Sequence, residues 1–293
     1  MYKEITAKSL LSSSTKPDSW FGTKYNMNLY RGCEHQCIYC DSRSECYKID
    51  DFNNTEVKIN AAELLQKELK SKRIKGTIGF GAMSDTYAPV EARYKLTRKC
   101  LEIIAALKFP IHILTKSALV VRDLDLIKSI SSEFAAISFT LTTADDTLAK
   151  IVEPKAALSS ARFSAMKKLA KAGIYTGITM MPVLPFLEDN LNNISAIVES
   201  AAESGASYII PAFGMTLRGR QREYYYQKLD ESFPGMKMRY VKKFGNSYSC
   251  GVDNYRLLRD RFEELCHRYG IVTRIDIYEP VSVFDSEQGK LFD

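Results

Sequence analysis

Hydrophobic and polar positions along the chain alternate between two periods. Short apolar runs typical of buried strands are separated by longer stretches in which apolar residues recur every three or four positions, as in an amphipathic helix. The predicted strands are Tyr25–Tyr30, Gly76–Ala82, Ile111–Thr115, Ala135–Thr142, Ile174–Met181 and Ser207–Ala212. The predicted helices between them are Ala61–Lys70, Leu96–Leu107, Leu124–Ser131, Ser159–Ala172 and Ile194–Ser204.

This alternation predicts the fold class. Successive strand and helix segments favour parallel strands joined by right-handed crossovers. Gly173 and Gly205 each precede a predicted strand, where a helix C-cap belongs. We expect an α/β fold, a partial (β/α)6 barrel over residues 23–213. Residues 1–22 are polar and turn-rich and lead into the barrel, and residues 214–293 form a C-terminal extension with a helix at Asn254–Tyr269.

Composition narrows the class of protein. The chain has 293 residues, of which 45% are hydrophobic, enough for one large core. It contains no apolar run long enough to span a membrane, and its first residues lack the apolar core of a secretory signal. Seven cysteines, an odd number, fit a reducing compartment better than a disulfide framework. We therefore expect a cytoplasmic protein with no membrane partner.

Three of these cysteines are clustered. Cys33, Cys37 and Cys40 have the spacing C-x3-C-x2-C, and three thiolates on one short loop can hold three irons of a [4Fe–4S] cluster. A zinc site is one alternative, with His35 or Cys46 close enough in sequence to contribute a ligand. A second alternative is that these cysteines are small buried core residues.

The motif with its aromatic residue before the last Cys resembles the signature of the radical S-adenosylmethionine (SAM) superfamily. The resemblance implies a partial barrel, a [4Fe–4S] cluster and SAM, whose amino and carboxylate groups bind the iron that no cysteine holds. An electron from a reductant such as flavodoxin or ferredoxin then cleaves SAM, and the resulting 5′-deoxyadenosyl radical abstracts hydrogen from a substrate. A non-enzymatic alternative is a zinc-binding or redox-sensing module.

The ends of the predicted strands supply candidate SAM contacts, because ligands of parallel α/β folds gather at the carboxyl ends of the strands. Ser84 and Asp85 can accept hydrogen bonds from the SAM amine, and Lys116 can pair with its carboxylate. A hydroxyl of the fourth strand, for which we favour Thr140, can serve the carboxylate or the ribose. Tyr39 stands where members of the superfamily pack a side chain against the adenine. Each assignment has an alternative. Ser84 and Asp85 can form an ordinary turn and helix cap, Lys116 can be a solvated surface lysine, and the hydroxyls of the fourth strand can simply lie on a sheet face.

A narrower resemblance covers the chain from about Trp20 to near its C-terminus. The matching phrases are Asn28–His35, Tyr39–Asp41, Gly81–Asp85, Leu114–Ser117, Thr216–Arg218 and Arg222–Tyr224. They resemble the branch related to spore photoproduct lyase, a DNA repair enzyme. That enzyme has a hydrogen-donating Cys at the end of strand two, whereas this chain has Ala82-Met83-Ser84 there. Cys46 and Cys250 are the remaining candidate donors, and Cys100 is predicted to lie in the core.

Charge suggests a partner. Residues 217–243 contain eight basic and three acidic side chains, with Tyr224, Tyr225, Tyr226 and Tyr240 among them. Such a stretch can bind a phosphate backbone while its rings stack on bases, so we expect DNA or RNA as a candidate substrate. A solvated basic face is the alternative, with a protein, peptide or small molecule as substrate. The tail Gln288–Phe292 resembles the peptide by which bacterial proteins dock on the DNA sliding clamp.

Overall fold

The computed structural model describes residues 2–279 of the chain. Its strands are β1 Lys3–Ile5, β2 Leu11–Ser13, β3 Tyr25–Met27, β4 Tyr30–Arg31, β5 Glu56–Lys58, β6 Ile78–Phe80, β7 Ile111–Thr115, β8 Ala135–Thr140, β9 Tyr175–Val183, β10 Tyr208–Thr216 and β11 Ser249–Gly251. Its α-helices are α1 Ala61–Lys70, α2 Pro89–Tyr94, α3 Leu96–Leu107, α4 Leu124–Ile130, α5 Asp146–Val152, α6 Ser159–Lys171, α7 Leu191–Glu203, α8 Gly219–Ser232, α9 Met236–Phe244 and α10 Tyr255–Tyr269.

Eight strands form the main sheet, in the order β11-β10-β9-β8-β7-β6-β3-β2. The six strands β3, β6, β7, β8, β9 and β10 are parallel to their neighbours. The edge strands β2 and β11 pair antiparallel with β3 and β10. Within residues 2–279 these two edges do not pair with each other, so the sheet stays open. The predicted α/β fold with six parallel strands is confirmed, and no closed barrel forms.

Burial explains why these segments form these elements. All six residues of β8 are buried, because helices cover one face of the parallel sheet and the barrel interior covers the other. On α3, Cys100 and Ile104 lie one turn apart, and both are fully buried against the sheet. Cys100 is thus a core residue, as the periodicity predicted.

The largest differences from the sequence prediction lie near the chain ends. The first residues form β1 and β2, and β1 joins β5 and β4 in a small second sheet. Phe21 packs on His112 inside the barrel, with ring centres 5.2 Å apart, while Trp20 remains 51% exposed. At the C-terminal boundary of the barrel segment, β10 ends at Thr216. This is three residues after position 213, where the sequence predicted the barrel to end. Antiparallel pairing with β11 extends β10, and a sequence pattern does not show that pairing.

The C-terminal extension packs on the open edge of the sheet. Helices α8 and α9 follow β10, β11 returns to pair with β10, and α10 lies against α7. The predicted helical extension is therefore present. No helix of the described residues is both long and apolar enough to cross a membrane.

Candidate active site

The three clustered cysteines lie on a tight loop that follows β4, residues 32–41, called here the cysteine loop. Gly32 has a φ of +80°, and a Cβ at this position would lie 2.8 Å from the carbonyl oxygen of Phe52, so glycine alone fits. The backbone N–H of Cys33 donates to the same carbonyl at 3.1 Å. Cys33 and Cys37 are buried and Cys40 is partly exposed. The loop thus holds its thiols against the protein interior.

The cysteine loop forms one wall of a cavity at the carboxyl ends of β6, β7 and β8. Glycine and small polar residues that follow these strands form the opposite wall. The sequence-predicted site residues that line this cavity are Cys33, Cys37, Tyr39, Cys40, Ser84, Asp85, Lys116 and Thr140. The fold therefore brings all eight together from four separate segments of the chain.

The donor set fits an iron–sulfur cluster better than a single zinc ion. No three Cys, His, Asp or Glu side chains within residues 2–279 converge on one point, as a mononuclear zinc site requires. A cluster takes its thiolates on different irons, so its ligands surround a cavity, as these three do. Burial, with a contribution from Asp85, raises the pKa of Cys33 to about 12. Its thiol therefore needs a bound cation in order to ionise.

The two further ligands considered for zinc have other contacts. His35 is buried, and its Nε2 lies 3.1 Å from Oδ2 of Asp85 while its Nδ1 lies 3.2 Å from the carbonyl oxygen of Lys155. Cys46 is exposed, with its sulfur 2.9 Å from Oγ of Ser44. His35 thus connects the cysteine loop to two neighbouring segments.

Asp85 has a more structural environment than the sequence suggested. Its Oδ1 accepts from the backbone N–H of Tyr87 and from Oγ1 of Thr115, both at 2.8 Å. Its Oδ2 accepts from the backbone N–H of Lys116 at 2.6 Å and faces His35 at 3.1 Å. Burial opposes ionisation, but His35 and the backbone donors outweigh it and hold the pKa of Asp85 well below its ordinary value. This carboxylate therefore joins the loops after β6 and β7 to the cysteine loop.

Lys116 provides a cation at the cavity. Its Nζ lies 5.9 Å from the centre of the Tyr39 ring, close enough for a cation–π contact. Burial lowers the pKa of Lys116, but the acidic groups of Cys37, Glu153 and Asp85 outweigh burial and leave the pKa raised. Among the described residues no carboxylate forms an ion pair with this ammonium group, which borders the cavity.

The hydroxyl groups predicted to contact SAM are also buried at this cavity. Ser84 donates its Oγ proton to the carbonyl oxygen of Tyr30 at 2.8 Å, which leaves the oxygen lone pairs available. Oγ1 of Thr140 lies 3.0 Å from Oγ1 of Thr179 on the next strand. Both hydroxyls can therefore accept a further hydrogen bond.

Sequence analysis missed a buried ion pair behind this cavity. Glu153 and Arg162 are 2% and 1% exposed, and their side chains form an ion pair. The hydroxyl of Tyr39 donates to the other carboxylate oxygen of Glu153. One signal was available: Arg162 shares a helical face with Met166 and Leu169, where an apolar residue is expected.

The basic stretch 217–243 is mostly engaged within the chain. Arg218 pairs with Asp41 of the cysteine loop at 2.6 Å, and Arg222 donates to four backbone carbonyls of the segments around α8 and α9. Tyr225 and Tyr240 are fully buried and hydrogen-bonded to each other at 2.9 Å. The prediction that these two rings stack on bases is wrong, because they form the core beneath α8 and α9.

Two further sequence predictions concern Cys250, a candidate hydrogen donor, and the C-terminal tail. Cys250 is buried on β11, in the apolar cluster that also contains Cys37 and Tyr39. The tail Gln288–Phe292, with its resemblance to a clamp-docking peptide, lies outside the described residues.

Comparison with known proteins identifies the family. The sequence model of the radical SAM superfamily matches residues 27–194, which include the cysteine loop and the strands around the cavity. The chain belongs to the radical SAM superfamily. Membership implies SAM-dependent radical chemistry with a [4Fe–4S] cluster.

The relatives extend over most of the chain. An uncharacterised protein of Mycobacterium tuberculosis is 29% identical over 92% of this chain and 81% of its own length. An uncharacterised protein of Methanocaldococcus jannaschii is 35% identical over 64% of this chain and 69% of its own length. The radical SAM Nα-GlyT isomerase of Pseudomonas phage M6 is 25% identical over 62% of this chain, but over 37% of its own length.

Solved structures of spore photoproduct lyase share the fold. The enzyme complexed with dinucleoside spore photoproduct superimposes with a TM-score of 0.70 and 16% identity, over 92% of this chain and 80% of the enzyme. A variant of that lyase with bound AdoMet and the same photoproduct gives a TM-score of 0.69, also at 16% identity, over 93% of this chain and 81% of the enzyme. The likeness extends beyond the barrel to the C-terminal extension.

Proposed function

We propose that the protein is a radical SAM enzyme in which Cys33, Cys37 and Cys40 hold three irons of a [4Fe–4S] cluster. When bound there, the cluster and SAM would supply the chemistry of a 5′-deoxyadenosyl radical, formed by one-electron reductive cleavage of SAM, for hydrogen abstraction from a substrate. The observation that carries the proposal is the convergence of eight residues, chosen from four segments of the sequence, on one cavity at the carboxyl ends of the strands.

The side chains around this cavity suit the polar ends of SAM. The ammonium of Lys116 can pair with the methionyl carboxylate, and the hydroxyl of Thr140 can bind the carboxylate or the ribose. We assign the methionyl amine to Ser84 and not to Asp85, because three hydrogen bonds and an ion-pair contact with His35 already engage the oxygens of Asp85. The ring of Tyr39 borders the cavity and can pack against the adenine.

For the substrate, a nucleic acid base is the first candidate. The support is the dinucleoside bound by the spore photoproduct lyase of similar fold, together with the net charge of +6 of this chain. Contact with the phosphate backbone is proposed for residues 217–243. The second candidate is a protein, peptide or small molecule, since the buried rings of Tyr225 and Tyr240 are not available to stack on bases. The electron donor is proposed to be a flavodoxin or ferredoxin.

Anaerobic reconstitution with iron and sulfide tests the first part. We expect about four iron and four sulfide per chain, as a [4Fe–4S] cluster contains, and formation of 5′-deoxyadenosine from SAM under reduction. Ala substitution of Cys33, Cys37 or Cys40 should abolish product formation. Cys46→Ala is the matched control, since Cys46 is exposed and lies outside the cavity. Turnover that survives loss of a clustered cysteine would refute the ligand assignment.

The same assay separates the substrate classes. Turnover of SAM should rise in the presence of single-stranded or duplex DNA or RNA if the substrate is a nucleic acid, and binding should weaken as salt increases. Stimulation by a peptide or small-molecule fraction, with no binding of nucleic acid at low salt, would instead support the second class.

A further inference from the structure

A second segment of the chain lies against the cysteine loop. Residues 152–157, which connect α5 to α6, are called here the brace. The backbone N–H of Ile38 donates to the carbonyl of Val152 at 2.9 Å, and that of Lys155 donates to the carbonyl of His35 at 3.2 Å. The brace therefore binds the backbone of the cysteine loop between its first and last cysteines.

The brace has one buried charged side chain, Glu153, which contacts the side chain of Tyr39 in the loop. One oxygen of Glu153 accepts from the hydroxyl of Tyr39, and the other pairs with the guanidinium of Arg162. Arg162 also donates to the carbonyls of Thr140 at 2.8 Å and Ala157 at 2.7 Å. One buried guanidinium thus fixes the carboxylate to the end of β8 and to the brace itself.

Packing alone does not account for this arrangement. Two buried charges are often replaceable by apolar residues without loss of stability, so an ion pair is a weak source of stability. Here the pair gives the hydroxyl of Tyr39 one defined hydrogen-bond acceptor. The ring itself borders the cavity, with Nζ of Lys116 5.9 Å from the ring centre.

We propose that Glu153 and Arg162 are positioning residues for SAM, which act by fixing the ring of Tyr39 and, through it, the ammonium of Lys116. The inference rests on the proposed function, since it concerns the cavity assigned to SAM. Neither residue lines the cavity, and Tyr39 is a cavity residue to which the side chain of Glu153 is hydrogen-bonded. If the hydrogen bond to Glu153 is lost, the ring of Tyr39 can move away from Lys116. The ammonium of Lys116 then loses its cation–π contact, and the affinity for SAM falls.

A double-mutant cycle between Tyr39 and Glu153 tests this. The cycle uses Tyr39→Phe, Glu153→Gln and the double variant, each loaded with iron and sulfide. The measurements are the iron and sulfide content, the dissociation constant for SAM by equilibrium dialysis, and the free energy of unfolding of the unloaded chain. Tyr39→Phe removes this hydrogen bond, and Glu153→Gln replaces its charged acceptor with a neutral amide. Tyr39→Phe should raise the dissociation constant about tenfold, and Glu153→Gln should raise it in the same direction. The double variant should bind SAM no more weakly than the weaker single variant.

Glu188→Gln is the matched control. Glu188 is as buried as Glu153, but its oxygens accept from Thr142 and from the backbone of Leu184 instead of Tyr39. The dissociation constant of this variant for SAM should stay within about twofold of wild type, since Glu188 makes no hydrogen bond to Tyr39 although its carboxyl lies near that of Glu153. If Glu153→Gln does not fold, a variant that carries both Glu153→Gln and Arg162→Met takes its place in the cycle. This variant has neither of the two buried charges.

The outcomes separate the two proposals. A wild-type chain that takes up no iron and sulfide overturns the proposed function and this inference together. Normal loading with additive losses in the cycle overturns the inference alone, because the two residues then act independently. An unchanged SAM affinity in Tyr39→Phe overturns it too. Normal loading in all variants, with weakened and non-additive SAM binding, supports it.

Discussion

The substitution Asp85→Asn separates a structural role from a ligand-binding role. Four groups contact the buried carboxylate of Asp85, two on each oxygen: three donate hydrogen bonds, and Nε2 of His35 lies at ion-pair distance. An amide offers one acceptor oxygen, so its NH2 group would face two of these donors. Each lost hydrogen bond to a charged, buried group costs about 1.5–3 kcal/mol, so the two together lower the free energy of unfolding by about 3–6 kcal/mol.

The assay is denaturant unfolding of the unloaded chain, combined with SAM affinity after reconstitution. Ser84→Ala is the comparison, because it removes one hydroxyl that donates to a single carbonyl, a loss of about 1 kcal/mol. We expect Asp85→Asn to lose mainly stability and Ser84→Ala to lose mainly SAM affinity. The reasoning would be refuted if Asp85→Asn unfolded like wild type yet bound SAM poorly. That result would place Asp85 in direct contact with the SAM amine.

Three further substitutions test other parts of the structure. Lys116→Met should weaken SAM binding at least about tenfold, because it removes an ion pair in a partly buried site. Lys116→Arg keeps the charge and should retain more of the affinity for SAM. Equal losses of affinity in equilibrium dialysis would argue against a charge-based role. Burial, with Glu153 and Asp189 nearby, raises the pKa of Glu188 from 4.5 to about 8, so between these values the folded chain holds a proton that the unfolded chain releases. The free energy of unfolding of the wild-type chain should therefore fall as the pH rises from about 5 to 8. Glu188→Gln is neutral at every pH, so its stability relative to wild type should increase along that range. A gain that does not depend on pH would contradict the assignment. Arg222→Lys keeps the charge but cannot reach all four backbone carbonyls that Arg222 contacts. The free energy of unfolding measured with denaturant should therefore fall by about 1 kcal/mol. An unchanged unfolding midpoint would show that these hydrogen bonds do not contribute to stability.

Regular elements could be predicted from the sequence where one pattern controls them. Helices Ala61–Lys70 and Leu96–Leu107 and strand Ile111–Thr115 have the predicted limits, because their apolar periods end at polar or turn residues. The predicted strand Tyr25–Tyr30 is instead two strands. Asn28 interrupts it, since its Oδ1 accepts from the backbone N–H of Met83 at 3.0 Å. A contact with a residue so distant in sequence leaves no local pattern.

The same distinction holds for the candidate site. Cysteine spacing and strand-end polar residues lie within short segments, and the parallel topology brings those segments together by rule. Glu153 and Arg162 come from segments that only the folded chain places behind Tyr39. Their partners, Tyr39 and the carbonyl of Thr140, could not be inferred from composition or spacing.

The basic stretch shows where charge counting fails. Arg218 pairs with Asp41, directly after the last clustered cysteine, and the side chain of Gln221 donates to the carbonyl of Tyr39 at 3.1 Å. Helix α8 therefore contacts the cysteine loop on one side, while the brace and Asp85 hold it on others. Because many of these contacts use backbone groups and buried charges of the chain itself, the polypeptide fixes the positions of the thiols. One basic side chain of this stretch, Arg218, thus anchors the loop, and others pair elsewhere within the chain. Only the basic side chains that still face solvent remain to attract a polyanion.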